Sequence, residues 1–288
     1  MDYILEVENL HKTYKKENFQ LKDVSFKLPY GSIMGFIGEN GSGKTTTLSI
    51  ILNLKNKDKG VVKLFGREMT DKDIDIKEKI GVVFDMNCLP KSANATEIAK
   101  VYENIYSRWD NEFFFKTLER FKIEKNKKIK DYSKGMLMTL SIITALSYHP
   151  QLLILDEATS GLDPVRREEM LELFMEFVQD EKNSILFSSH ITTDIEKIAD
   201  YVTFIHDGQT TITAEKDSFI YKYGIVRCGK DIFESLDKKY IVKYLKKDYE
   251  HLVLISDRNA YQIQSEKLIV ENPTLEEIIY LLSKGEAL

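Results

Sequence analysis

Lys44 and Thr45 close the stretch Gly38-Glu39-Asn40-Gly41-Ser42-Gly43-Lys44-Thr45-Thr46, which has the spacing G-x-x-x-x-G-K-[ST]. That pattern can cradle a polyphosphate. Glycines let the backbone turn tightly and bring successive N–H groups onto one anion. Lys44 supplies a point charge for β- and γ-phosphates, and the Thr45 hydroxyl can ligate Mg²⁺. Two acids, Asp156 and Glu157, follow the apolar run Leu152-Leu153-Ile154-Leu155. The first can hold Mg²⁺ through water, and the second can orient or deprotonate an attacking water. His190 ends Ile185-Leu186-Phe187-Ser188-Ser189, and Asp85 ends Ile80-Gly81-Val82-Val83-Phe84. Together these residues point to phosphoanhydride hydrolysis.

Each group needs an element to carry it. Ile33 to Ile37 reads as a buried strand before the glycine stretch, and Thr47 to Leu52 as a helix after it, which is the setting a phosphate loop requires. A helix start adds unpaired N–H groups and the positive end of its dipole. The runs ending at Asp85, Glu157 and His190 read as buried parallel strands that deliver side chains to one carboxyl edge. Residues 3–8, 19–28 and 60–66 alternate or sit between glycines, which predicts an antiparallel β layer beside this core. Residues 95–122 carry apolar positions at helical spacing, Ile98, Val101, Tyr102 and Ile105 among them, so an inserted helical region is expected. Ser133 is a natural N-cap for a helix running to Leu146, so Ser133 and Gly135 form another helix start able to meet an anion. Asp207-Gly208 between two apolar runs is a hairpin signal. From about residue 213 the pattern changes to a small α+β appendage, with strands at 240–245 and 252–255. Its last helix is capped at Asn272-Pro273, with Leu275, Ile278, Ile279 and Leu282 on one face. Tyr14, between the first two strands, reads alone as an ordinary surface tyrosine, and beside a phosphate loop as a ring to stack on a purine base.

The bulk numbers bound the function. With 288 residues the chain is long enough for a sizeable core and an appendage. Hydrophobic residues at 43% and charged residues at 30%, with a net charge of −5, describe a soluble protein and argue against a nucleic-acid binder. No apolar run reaches membrane-spanning length, and the acidic start Met1-Asp2-Tyr3 lacks a signal-peptide pattern. Cys88 and Cys228 are far apart and fit free thiols in a reducing cytoplasm. The histidines make no metal-ligand spacing.

The order of these motifs resembles that of the ATP-binding subunits of ABC transporters, over residues 3–212. Gly38 to Thr46 match the family's Walker A loop, Asp156 and Glu157 its Walker B motif, and Ser160 to Asp163 its D-loop. Tyr14 falls at the adenine-stacking aromatic, Asp85 at the Q-loop, Ser133 and Gly135 in the signature loop, and His190 at the switch histidine. Two residues depart from the family's pattern. Asp85 stands where glutamine is usual, and Lys134 stands where the signature's first glycine is usual. The signature Tyr132-Ser133-Lys134-Gly135-Met136 is similar to that of a subgroup serving ABC-2 type membrane proteins, which includes exporters of peptide antibiotics and other amphiphiles.

The resemblance implies an α/β P-loop NTPase fold with an antiparallel β subdomain, a helical subdomain at about 92–148 and an α+β domain at 213–288 for accessory or dimerisation roles. It implies ATP and Mg²⁺ as ligands, with Thr45, Asp85 and Asp156 on the metal and Lys44, Glu157 and His190 in the chemistry. Gly38, Asn40, Gly41, Ser42, Gly43, Lys44, Thr45, Thr46, Ser133, Gly135 and Tyr14 would hold the nucleotide. The implied partners are integral membrane permease subunits and a second ATPase subunit, with the chain peripheral on the inner face of the plasma membrane. A non-transport ATPase of the iron–sulfur assembly kind, or a nucleotide-dependent regulatory module, is the alternative.

Overall fold

The computed structural model describes residues 2–14, 19–85, 89–247, 250–259, 261 and 269–287. The sequence reading of Cys88 lies outside these residues. The chain divides into two compact units, Met1–Thr213 and Ala214–Leu288.

The first unit begins with strands β1 (Tyr3–Thr13), β2 (Gln20–Pro29) and β3 (Ile33–Ile37), then helix α1 (Lys44–Ile51) and strand β4 (Lys59–Leu64). The short helix α2 (Ile74–Lys77) leads to β5 (Ile80–Val83). Helices α3 (Ala95–Ile105), α4 (Asn111–Arg120) and α5 (Lys134–Leu146) follow. Then come β6 (Leu152–Asp156), α6 (Pro164–Phe177), β7 (Ser184–Ser188), α7 (Thr192–Ile198), β8 (Tyr201–His206) and β9 (Gln209–Glu215), the last running across the boundary at Thr213.

These strands form two sheets. The order β2-β1-β4 is antiparallel, as the alternating apolar residues predicted, with Leu5, Val7 and Leu10 turned into the core. The second sheet runs β5-β6-β7-β3-β8-β9 and pairs its first five strands in parallel. Strands β3, β6 and β7 are buried at every position, which explains why they read as unbroken apolar runs. The register sets Asp156 opposite Ser188, and Ser188 opposite Phe36, so the carboxyl ends of β3, β6 and β7 finish level on one edge. Asp207 and Gly208 both have positive φ, 47° and 74°, which is the two-residue turn that joins β8 to β9 with native twist.

The helical insert rests on caps that the sequence carries. Asn94 and Glu97 form a reciprocal capping box on α3, Asp110 caps α4, and Ser133 Oγ accepts from Met136 N at 3.2 Å on α5. One detail differs from the periodicity. Val101 and Ile105 are 52% and 61% exposed, while Ile98 and Ala99 are buried. The buried stripe of α3 is therefore narrower than its apolar residues imply.

The second unit holds α8 (Lys216–Lys222), β10 (Gly224–Cys228), α9 (Lys230–Ser235), β11 (Ile241–Lys246), β12 (His251–Ile255) and α10 (Leu275–Lys284). Its antiparallel sheet has the order β10-β12-β11, and Val226, Tyr244, Val253, Ile255 and Tyr261 build its own core. The cap of α10 corrects the expectation at Asn272-Pro273. Thr274 caps the helix in a reciprocal box with Glu277, leaving Asn272 and Pro273 outside, because Glu277 lies three residues after Thr274, where its carboxylate returns a bond to the Thr274 N–H. Its buried face is Leu275, Ile278 and Leu281, not Leu282.

Candidate active site

The glycine stretch joins β3 to α1, and its glycines are there for space. A β-carbon on Gly38 would lie 2.4 Å from Ser42 Oγ and 2.5 Å from the Ile205 carbonyl oxygen. Gly41 and Gly43 have φ of 82° and 111°, a region that other residues adopt at a cost. Gly43 is also the N-cap of α1, with no side chain to occupy the first N–H groups and no acid in the first turn. Those N–H groups and the helix dipole remain for an anion. Ser42 Oγ is buried without a hydrogen-bond partner, while Glu39, Asn40 and Gly41 form an exposed tip. A phosphate fits this cradle, which a β-carbon on Gly38 or Gly43 would crowd.

Lys44 is 6% exposed and donates to the Gly38 carbonyl at 2.6 Å and the Glu39 carbonyl at 3.3 Å. Burial lowers its pKa, and the nearby Glu157 and Asp156 carboxylates work against that shift. Thr45, the next residue of α1, donates its hydroxyl to Asp156 Oδ2 at 2.9 Å. The other oxygen of Asp156, Oδ1, is buried and meets no donor. A hydroxyl and a carboxylate with one open oxygen form a hard oxygen donor set that suits Mg²⁺.

Glu157 leaves β6 with φ of 56°, an uncommon conformation for a residue with a β-carbon. That twist, fixed by Glu157 N donating to the Ser188 carbonyl at 2.9 Å, turns its side chain toward the phosphate loop. Oε1 lies 3.9 Å from Lys44 Nζ. Oε2 lies 2.5 Å from His190 Nδ1 and 3.4 Å from His190 N. The carboxylate is 17% exposed, whereas His190 is 56% exposed, so the pair spans from the core to solvent.

Lys44, Thr45, Asp156, Glu157 and His190 thus form one contiguous set. Other candidates stand apart from it. Tyr14 is half-buried beside Phe19 at 6.4 Å between ring centroids, with Lys12 and Lys55 ammonium groups 6.0 and 5.4 Å from its ring. Thr46 is half-buried on α1, behind Thr45. Ser133 caps α5, and a β-carbon on Gly135 would sit 3.2 Å from the Gly161 carbonyl oxygen. Asp85 does not join Thr45 and Asp156; its Oδ1 pairs with Lys134 Nζ at 2.8 Å.

Some participants gave no signal in the sequence. A β-carbon on Gly43 would lie 3.0 Å from Phe19 Cζ and 2.5 Å from Leu21 Cδ2, so these side chains wall the loop. Ser188 and Thr159 flank Glu157 with buried hydroxyls that lack partners. A single hydroxyl in an apolar run or a loop has no spacing that marks it. A groove of about 520 Å³ also opens beside Phe84, lined by Leu89, Tyr102, Tyr106 and Tyr148 among others. Tyr106 and Tyr148 stack there at 3.9 Å.

Comparison with known proteins agrees with this geometry. The sequence profile of the ABC transporter family matches residues 21–160. The chain is 32% identical over 210 residues to the bacitracin transport ATP-binding protein BcrA of Enterococcus faecalis, covering 72% of this chain and 68% of that one. It is 33% identical over 216 residues to the lantibiotic transport ATP-binding protein SrtF of Streptococcus pyogenes, covering 74% and 92%. Among solved structures, an ATP-binding subunit of an ABC transporter superposes with a TM-score of 0.68 at 26% identity, over 75% of this chain and 91% of that one. Such subunits bind ATP, dimerise and pair with membrane permease subunits. No helix among the described residues is long and apolar enough to cross a membrane. The phosphate loop, the paired acids and the histidine therefore sit on a P-loop NTPase fold, and the chain belongs to the ATP-binding subunits of ABC transporters, the ATPases that power a separate permease.

Proposed function

We propose that this subunit hydrolyses Mg²⁺–ATP with Glu157 as the base and drives an ABC-2 type permease that exports a peptide antibiotic or a similar amphiphile. The observation that carries the hydrolytic assignment is the convergence of Glu157 on Lys44 and His190, beside the Thr45–Asp156 pair. Thr45 and Asp156 would hold Mg²⁺, which when bound neutralises charge on the β- and γ-phosphate oxygens. Lys44 and the N–H groups from Gly38 to Thr46 hold the triphosphate. Glu157 accepts the proton of a water whose oxygen attacks the γ-phosphorus. The bond to the bridging β–γ oxygen breaks, and ADP takes the electron pair. His190 holds Glu157 by its ring nitrogen and faces the γ-phosphate from the solvent side. Tyr14 stacks on adenine, replacing a lysine ammonium at its ring.

Ser133 and Gly135 complete the site of a second ATPase subunit. Support comes from their exposed, capped helix start, which makes its contacts with Gly161 and Asp85 within its own chain. Residues 1–212 act as the ATP-binding domain, and 213–288 as an accessory or dimerisation domain, a reading supported by the separate core of that unit. The groove beside Phe84 receives the permease, so the subunit lies peripherally on the inner face of the membrane. The named substrates of the relatives, bacitracin and lantibiotics, support the peptide-antibiotic class.

Two measurements test this proposal. Glu157→Gln should keep ATP binding and lose turnover; hydrolysis at the parental rate would remove Glu157 from the base's role. Deleting the gene should sensitise its host to bacitracin or a lantibiotic, with the subunit co-purifying on membranes with a polytopic protein. Unchanged susceptibility to every peptide antibiotic would reject the substrate class while leaving the ATPase assignment intact.

A further inference from the structure

Asp85 and Lys134 are the two residues that depart from the family's motifs, and the fold joins them. Lys134 Nζ lies 2.8 Å from Asp85 Oδ1, with the side chains 59% and 48% exposed. A pair this exposed contributes little to stability, so stability does not account for it. Its place on the sheet edge is more telling. Val83 pairs with Leu155 in the parallel register of β5 and β6. Asp85 and Glu157 follow these neighbouring strands, so both lie at the same carboxyl edge of the sheet. Glu157 is itself 3.9 Å from Lys44. Asp85 thus shares an edge with the Lys44–Glu157 pair, and across such a separation its charge acts on a bound phosphate through a partly screened field.

An unpaired carboxylate at that position would repel the phosphate. Lys134 cancels it, and the lysine is held for the purpose by more than its charge. Its aliphatic stem lies over Gly161, where a β-carbon would come 3.4 Å from Cδ.

We infer that Asp85 and Lys134 form a compensated charge pair that tunes the affinity of this subunit for the triphosphate, each residue acting with the opposite sign. The inference rests on the ATP-binding reading above. It makes the two departures one feature rather than two defects.

The test is a double-mutant cycle on the full chain. It measures binding of a fluorescent, non-hydrolysable ATP analogue with Mg²⁺, at low salt and at 0.5 M salt. Lys134→Gln exposes the carboxylate and should weaken binding about threefold, and Asp85→Asn frees the ammonium and should tighten it about threefold. The double variant should return to within about 1.5-fold of the parent, and 0.5 M salt should collapse all the differences, because the Debye length falls well below the separation. Single variants that shift affinity in the same direction, or shifts that persist in high salt, overturn the inference. So does weakened binding in Asp85→Asn with lost Mg²⁺ dependence, since that puts Asp85 on the metal instead. Lys44→Ala serves as the control that loses binding. If the parent itself fails to bind the analogue, the ATP reading fails with it, whereas a binding parent with an inert cycle rejects the charge pair alone.

Discussion

Strands β5 and β6 are neighbours with matched register, and each leads to an acid at or just past its end, yet these ends behave differently. The end of β6 is built into the core. Asp156 is 5% exposed, Glu157 is 17% exposed, and together they meet a threonine, a lysine and a histidine from two other segments. The end of β5 is open, and Asp85 meets one lysine from the helical insert. The difference shows where the energy of a charge goes. A buried acid is costly unless it is paired and hydrogen-bonded, so the fold around it is specific and the side chain is poised for chemistry. An exposed acid costs little, so it is free to vary and acts through its field.

The comparison breaks first at Glu157. Glu157→Gln should lower ATP turnover by at least about 100-fold with nucleotide affinity retained, measured by phosphate release and by equilibrium binding. A similar loss from Asp85→Asn would erase the distinction between the two strand ends.

The next effect is on stability. Leu155 is fully buried in β6. Leu155→Ala should cost about 2–5 kcal/mol, a fall of roughly 5–15 °C in the melting temperature by calorimetry. Neutralising both Asp85 and Lys134 should move that temperature by less than about 2 °C, as expected for an exposed pair.

Lys44 gives a sharper contrast, because it opposes two pH effects. Lys44→Ala should weaken ATP binding about 10- to 100-fold, the range for losing a charged hydrogen bond. In the parent, burial holds the folded pKa of Lys44 below the ordinary lysine value. The unfolded chain then binds more protons between those two values, so this residue's contribution to stability rises with pH across that alkaline window. ATP affinity falls across the same window as the ammonium loses its charge. Binding titrations and thermal melts over that range should move in opposite directions, and Lys44→Arg should remove the fall in affinity.

The smallest effect is at the helix start. Ser133→Ala removes a cap worth about 1 kcal/mol and should lower the melting temperature by about 3 °C.

Much of this is legible in the sequence. The phosphate loop, the buried parallel strands and the Ser133 cap each depend on local chemistry, so a few adjacent residues announce them. The hairpin at Asp207-Gly208 is of the same kind. Less legible were features set by distant packing. The exposure of Val101 and Ile105 depends on which neighbours face α3, and the buried turn of α10 falls on Leu281 because the helix packs against β11 and β12. Phe19 and Leu21 wall the phosphate loop from a strand that carries no motif.

By itself the sequence determined that this chain carries a phosphate loop, a pair of acids at a strand end and the family to which they belong, because backbone turns, caps and apolar runs are properties of neighbouring residues. Only the tertiary structure decided that Glu157 reaches both Lys44 and His190, and that Asp85 and Lys134 meet. Those contacts join segments dozens of residues apart, and strand register across a sheet is what brings such segments together.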